Sequence, residues 1–165
     1  MKLNKLMFRE YDIRGIWNED ITEEVSYYIG RAYATKLLSL KKNKMIVGYD
    51  NRLSSPIIEK NLVKGLTDGG VDVVRLGLVT TPMYYYAWDK LNIHCGIMIT
   101  ASHNPKEYNG FKMSYNGIHN CFGNEVAELY YIILNGIYSK GNGSITDANI
   151  KEDYIKMINS HINMG

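Results

Sequence analysis

The sequence predicts an α/β domain with a mostly parallel sheet. Short apolar or β-branched runs alternate along the chain with segments whose apolar residues recur at helical spacing, the order that builds strand–helix–strand crossovers. The connecting segments are long enough to carry a chain back across a sheet face. With 165 residues, 45% of them apolar, the chain is the size of one domain with a substantial core, plus a short appendage.

The elements follow in order. "ITEEVSYYIGRAYATKLLSL" sets Val25, Tyr28, Ile29, Ala32, Tyr33, Leu37 and Leu40 along one mostly apolar helical stripe. Asp20 followed by Glu23 resembles a capping box at its start. "KMIVGYD" reads as a short buried strand. Ser55 before Pro56 opens a helix over "PIIEKNLVKGLTD", which stops at Gly69 and Gly70. "VDVVRLGLV" is a β-branched strand and "TPMYYYAWDKLN" a helix begun by Thr81 and Pro82. "HCGIMIT" and "GFKMSYNG" are strands on either side of a polar loop, and "NEVAELYYIIL" is a helix. "SKGNGSITD" has the glycine and polar bias of a linker, and the remaining "ANIKEDYIKMINSHINMG" reads as one more helix.

Composition removes several classes of function. Lys and Arg total 19 against 17 Asp and Glu, a formal charge of +2, without the clustered basic excess of a nucleic-acid binder. No run reaches the roughly 18–20 apolar residues of a membrane span. The start, "MKLNKLMFREYDIRG", lacks the apolar core and cleavage site of a secretory signal, so a cytoplasmic protein is expected. Cys95 and Cys121 form no C-x-x-C pair, and Cys95, inside an apolar run, is expected to be a buried free thiol. His94, His119 and His161 have no companion ligands at useful spacing and read as structural. The fourteen tyrosines fall mostly at packing positions.

In open α/β sheets ligands gather beyond the carboxyl ends of strands. Two loops qualify: "DNRLSS" after "IVGY", and "TASHNPKEYNGFK", Thr100 to Lys112, after "GIMI". The second carries Ser102 next to His103 in an Asn-Pro turn. On extended backbone, adjacent side chains point to opposite sides, so His103 is not expected to deprotonate Ser102 directly. No G-x-S-x-G elbow is present.

"FREYDIRG", "TASHNPKEYNGFK" and the order of elements between them resemble the α-D-phosphohexomutases, most nearly the phosphomannomutase/phosphoglucomutase branch. "GYDNRLSS" and "GLVTTPMYYYA" resemble family segments at the corresponding places, with Tyr49 standing where relatives commonly carry arginine. The resemblance implies a three-layer α/β/α first domain with a mixed, mostly parallel sheet over residues 1–140. Residues 141–165 would be a linker and the start of a connection to a second domain.

It further implies that Ser102 is carried as a phosphoserine. That group would move a phosphoryl between C1 and C6 of a hexose phosphate by way of a hexose 1,6-bisphosphate. Lys112 would take part in proton transfer, Arg14 and Tyr11 would approach the phosphoserine and substrate, and His103 would assist. These residue types suit phosphoryl transfer, which demands positioning and charge neutralisation more than covalent help. A magnesium ion would be held through the phosphoryl oxygen on Ser102, with its remaining ligands in a D-G-D-x-D-R loop of the second domain. No D-x-D pair occurs in this sequence.

The partners implied are therefore the hexose phosphate and the C-terminal domains of the same protein, and residues 1–165 alone are not expected to turn over substrate. "YDIRG", rather than T-D-G-I-R-G, points toward glucose or mannose phosphates. Two other readings stand beside this one: a stand-alone binding or regulatory module that pairs with another chain, and a serine hydrolase or phosphatase built on Ser102.

Overall fold

The computed structural model describes residues 1–162; the end of the last expected helix, residues 163–165, lies outside the described residues. A six-stranded sheet runs β1 (Ile13–Ile16), β5 (Tyr108–Ser114), β4 (Gly96–Ile99), β2 (Lys44–Tyr49), β3 (Asp72–Leu78) and β6 (Ile145–Asp147) from edge to edge. β4, β2, β3 and β6 are parallel, while β5 is antiparallel to both β4 and β1. The sheet is therefore mixed and mostly parallel, as the sequence predicts.

The helices α1 (Glu23–Ser39), α2 (Ser55–Asp68) and α4 (Asn124–Asn135) cover one face, burying Ile29, Tyr33, Leu37, Leu62, Leu66 and Leu129 against Val47, Ile97, Ile99 and Phe111. The helices α3 (Thr81–Leu91) and α5 (Lys151–His161) lie on the other, where Tyr84, Trp88 and Ile150 meet Ile46, Val74 and Met98. Three layers result. Among the described residues no helix is long and apolar enough to cross a membrane.

Local chemistry explains most boundaries and corrects a few. Thr22, not Asp20, caps α1, its hydroxyl accepting from the Val25 N–H. Asp20 instead accepts from Asn4 Nδ2 at 2.7 Å and the Ile16 N–H at 3.0 Å. Those hydrogen bonds pull its carboxyl below the ordinary value of 3.8. Ser54 is the N-cap of α2, without a side-chain capping bond, and Pro56 follows in its first turn. The Ser55 hydroxyl turns to Asp50 instead. Gly136, in the left-handed region at φ 65°, ends α4.

Two edge strands were not legible in the sequence. β1 is four residues long and interrupted by Gly15, too short for a periodic signal. β6 lies within the stretch whose glycines suggested a linker. At Gly143 a Cβ would stand 2.0 Å from the Val71 carbonyl oxygen, so that glycine allows the close approach that brings β6 beside β3.

Candidate functional site

β2 leads through α2 to β3 on one side, whereas β4 leads to β5 on the other. The crevice between the carboxyl ends of β2 and β4 is the switch point of the sheet. Both polar loops open there: Asp50–Ser54 after β2, and the serine loop after β4.

The serine loop is two successive turns. The Asn104 N–H donates to the Ala101 carbonyl at 3.1 Å, and the Tyr108 N–H to the Pro105 carbonyl at 3.0 Å. Ser102 is exposed at the tip with φ 57°, a left-handed conformation uncommon for a side-chain-bearing residue. Its N–H donates to Thr100 Oγ1 at 3.0 Å.

This geometry overturns the expectation that Ser102 and His103 point apart. With Ser102 left-handed, its Oγ lies 3.4 Å from His103 Nδ1, within loose hydrogen-bond reach. The premise of extended backbone does not hold in this turn.

Strand register organises the remaining candidates. Arg14 of β1 is paired with Gly110 of β5, and Lys112 with Met98 of β4. Side chains alternate along a strand and cross-strand partners share a face. Arg14 and Lys112 therefore stand on the same sheet face as Met98, opposite the α1/α2 core that takes Phe111 and Met113. Thr100 continues this face through its N–H to the Gly110 carbonyl at 2.9 Å.

Arg14 reaches the serine loop directly, donating from Nη1 to Asn104 Oδ1 at 2.6 Å, and pairs through Nη2 with Asp12. Among the described residues its buried Nε has no partner. Lys112 is half-buried. Tyr11 is 69% exposed in the bend before β1 and does not line the cleft beside the serine loop.

A cleft of about 910 Å³ lies beside the serine loop, lined by Trp17, Asp50, Arg52, Ile57, Ser102 and Lys106 among others. Of the residues nominated from sequence, it takes in only Ser102. The sequence pattern singles out the loop that holds Arg52 and not the residue itself, yet Arg52 donates to the carbonyls of Ser102, Asn104, Pro105 and Tyr108. The available signal was its place in "DNRLSS" at the carboxyl end of β2. Asn109, fully buried, ties the two loops from below, its Nδ2 donating to Ser54 Oγ at 2.8 Å and Ser55 Oγ at 3.0 Å.

Among the described residues no three His, Cys, Asp or Glu side chains gather as a metal donor set. Magnesium asks for near-octahedral oxygen ligation. The described residues do not assemble it.

Comparisons with known proteins give a consistent picture. The profile of "Phosphoglucomutase/phosphomannomutase, alpha/beta/alpha domain I" matches residues 5–136. A phosphoglucomutase of Neisseria meningitidis serogroup B is 40% identical over 160 residues, covering 96% of this chain and 35% of that protein. A phosphomannomutase/phosphoglucomutase of Pseudomonas syringae pv. tomato is 41% identical over 160 residues, covering 96% and 34%. The crystal structure of a phosphoglucomutase/phosphomannomutase family protein from Burkholderia thailandensis superposes with a TM-score of 0.92 at 32% identity, over 98% of this chain and 37% of that one. The chain thus spans about a third of the length of the curated relatives it matches.

Proposed function

The chain belongs to the phosphoglucomutase/phosphomannomutase family, matching its first domain, and on that premise we propose that Ser102 accepts and returns the phosphoryl group that the mutase moves between C1 and C6 of a hexose phosphate. In the loading step Ser102 Oγ attacks a phosphorus of the hexose 1,6-bisphosphate in line. The bond from phosphorus to the sugar oxygen breaks, and the serine proton is transferred, in net terms, to that oxygen. The phosphoserine then passes its phosphoryl to the free C1 or C6 hydroxyl of a hexose monophosphate, whose proton goes in net terms to the departing serine oxygen. The bisphosphate so formed reorients and returns its other phosphate to Ser102. Glucose and mannose phosphates are the substrates proposed.

The observation that carries this reading is the setting of Ser102: an exposed hydroxyl on a pinned turn, beside a histidine nitrogen at 3.4 Å and an arginine bonded to the same turn. His103 Nδ1 is within reach of the serine proton. A guanidinium has five donors; the hydrogen bonds of Arg14 engage Nη1 and Nη2 once each, leaving donors for phosphoryl oxygens. Lys112 brings positive charge to the same sheet face and is the proposed second proton-transfer group. A magnesium ion would meet one ligand here, a phosphoryl oxygen on Ser102, and would take the others from outside the described residues. Turnover is accordingly proposed for the protein with its further domains, and not for residues 1–165 alone.

The test is to join the chain to the remaining domains of a relative, incubate with a hexose 1,6-bisphosphate and map phosphate by peptide mass. Phosphate on the Ser102 peptide, lost in Ser102→Ala together with mutase turnover, is the expected result. Phosphate on another residue, or turnover that survives Ser102→Ala, overturns the reading.

A further inference from the structure

Arg52 and Arg14 both reach the serine loop, and they do so in different ways. The Arg52 side chain is 11% exposed, and its guanidinium has an acceptor for each of its five N–H donors. Nε donates to Asp50 Oδ2 at 3.2 Å. Nη1 donates to the carbonyls of Pro105 at 2.6 Å and Tyr108 at 3.0 Å. Nη2 donates to the carbonyls of Ser102 at 3.2 Å and Asn104 at 2.7 Å. No donor is left over for a phosphoryl oxygen.

The aim of the guanidinium is itself held. Asp50 Oδ1 accepts from the Arg52 backbone N–H at 3.1 Å and from Ser55 Oγ at 2.7 Å, and Ser55 in turn accepts from buried Asn109. The carbonyls that Arg52 gathers belong to both turns of the loop. At Ser102 the effect is complete: Thr100 holds its N–H and Arg52 holds its C=O, so the peptide groups on both sides of a left-handed residue are pinned.

We propose that Arg52 is the positioning residue of the serine loop, holding Ser102 in the single backbone conformation that presents Oγ, through carbonyls and without touching phosphate. This rests on the reading of Ser102 as phosphoryl acceptor. Lysine keeps the charge at this place and loses the planar fork that spans four carbonyls. Misplacing a nucleophile by about 1 Å can cost on the order of 100-fold in rate. Substrate binding made by other residues is left in place.

The experiment compares wild type with Arg52→Lys in the chain joined to the remaining domains of a relative. Amide hydrogen exchange over residues 101–108 is expected to rise at least about tenfold in the variant while β2, β3 and α1 exchange as in wild type. The turnover number is expected to fall by about 100-fold with KM within about threefold. Unchanged exchange in the loop, or a loss confined to KM, overturns the proposal. Should Arg52→Lys fail to fold, nitrogen-15 spectra of wild type decide: resolved, slowly exchanging Nη protons of Arg52 support the clamp, and averaged, solvent-exchanging ones refute it. If wild type never carries phosphate on Ser102, the functional reading fails while the exchange data still judge the clamp. Normal loading together with a variant indistinguishable from wild type fails the clamp alone.

Discussion

Ser102 Oγ and His103 Nδ1 stand 3.4 Å apart although the two residues are neighbours in the chain. The contact exists because Ser102 has φ 57°, a conformation that costs a side-chain-bearing residue about 1–2 kcal/mol. Such strain at a proposed nucleophile is held in place by the surrounding hydrogen bonds.

Ser102→Gly should therefore be at least as stable as wild type, with a gain of up to about 1 kcal/mol once the greater freedom of unfolded glycine is subtracted. Ser102→Ala keeps the strain and should not share the gain. Phosphate loading should be lost in both. Urea midpoints of the two variants check the ordering, and a glycine variant clearly less stable than the alanine one contradicts it.

Where α1 crosses α2, a Cβ on Gly65 would stand 2.0 Å from the Tyr27 carbonyl oxygen, and one on Gly30 would stand 2.3 Å from that of Leu62. Helix propensity by itself favours alanine over glycine by about 1 kcal/mol. Backbone atoms cannot yield as a side-chain end can, so the helices must move apart and unpack the core between them. Gly65→Ala should thus lower stability by about 3 kcal/mol or more, opposite in sign to propensity. A thermal or urea midpoint at or above that of wild type would show that the crossing relaxes freely.

Glu59 of α2 is buried, with a relative exposure of 8%. Burial raises its carboxyl above the ordinary 4.5, with Arg75 opposing the shift and Asp147 adding to it. In the window between the ordinary and the raised value the native state binds more proton than the unfolded chain. The contribution of Glu59 to stability therefore falls as pH rises through that window. Glu59→Gln has no such titration, so its stability relative to wild type should improve as pH rises from about 4 toward 7. Parallel stability–pH curves for the two proteins would remove this account.

Cys95 and Cys121 are both free and buried. Burial pushes the Cys121 thiol up to about 12 and raises that of Cys95 as well. At about pH 8 neither supplies much thiolate, the reactive form. Iodoacetamide should leave both unmodified in the native protein and label both after unfolding. Fast labelling of native Cys121, read by intact mass, would contradict its burial.

The alternation of strand and helix in the sequence predicted β2, β3, β4 and β5 and all five long helices near their observed places. Those elements are long enough for periodicity to speak, and most helix ends carry local signals such as Pro56, Gly69 and Gly136. The serine loop was legible because its residue types are dense and its place at a strand end is set by local order. The resemblance of "YDIRG" and "TASHNPKEYNGFK" named Arg14, Lys112, Tyr11 and His103, and register then put Arg14 and Lys112 on one face.

What the sequence by itself determined is the set of elements whose causes lie within a few residues: apolar stripes, turn residues, and a serine in a rigid turn after a buried strand. Only the tertiary structure decided the edge strands β1 and β6, whose hydrogen bonds are supplied by neighbours far along the chain. It likewise decided the left-handed backbone that joins Ser102 to His103, and the role open to Arg52. The physical reason is common to all three: a donor is defined by its acceptors, and the carbonyls that Arg52 meets some fifty residues away come together only when the sheet has brought the two loops to its switch point.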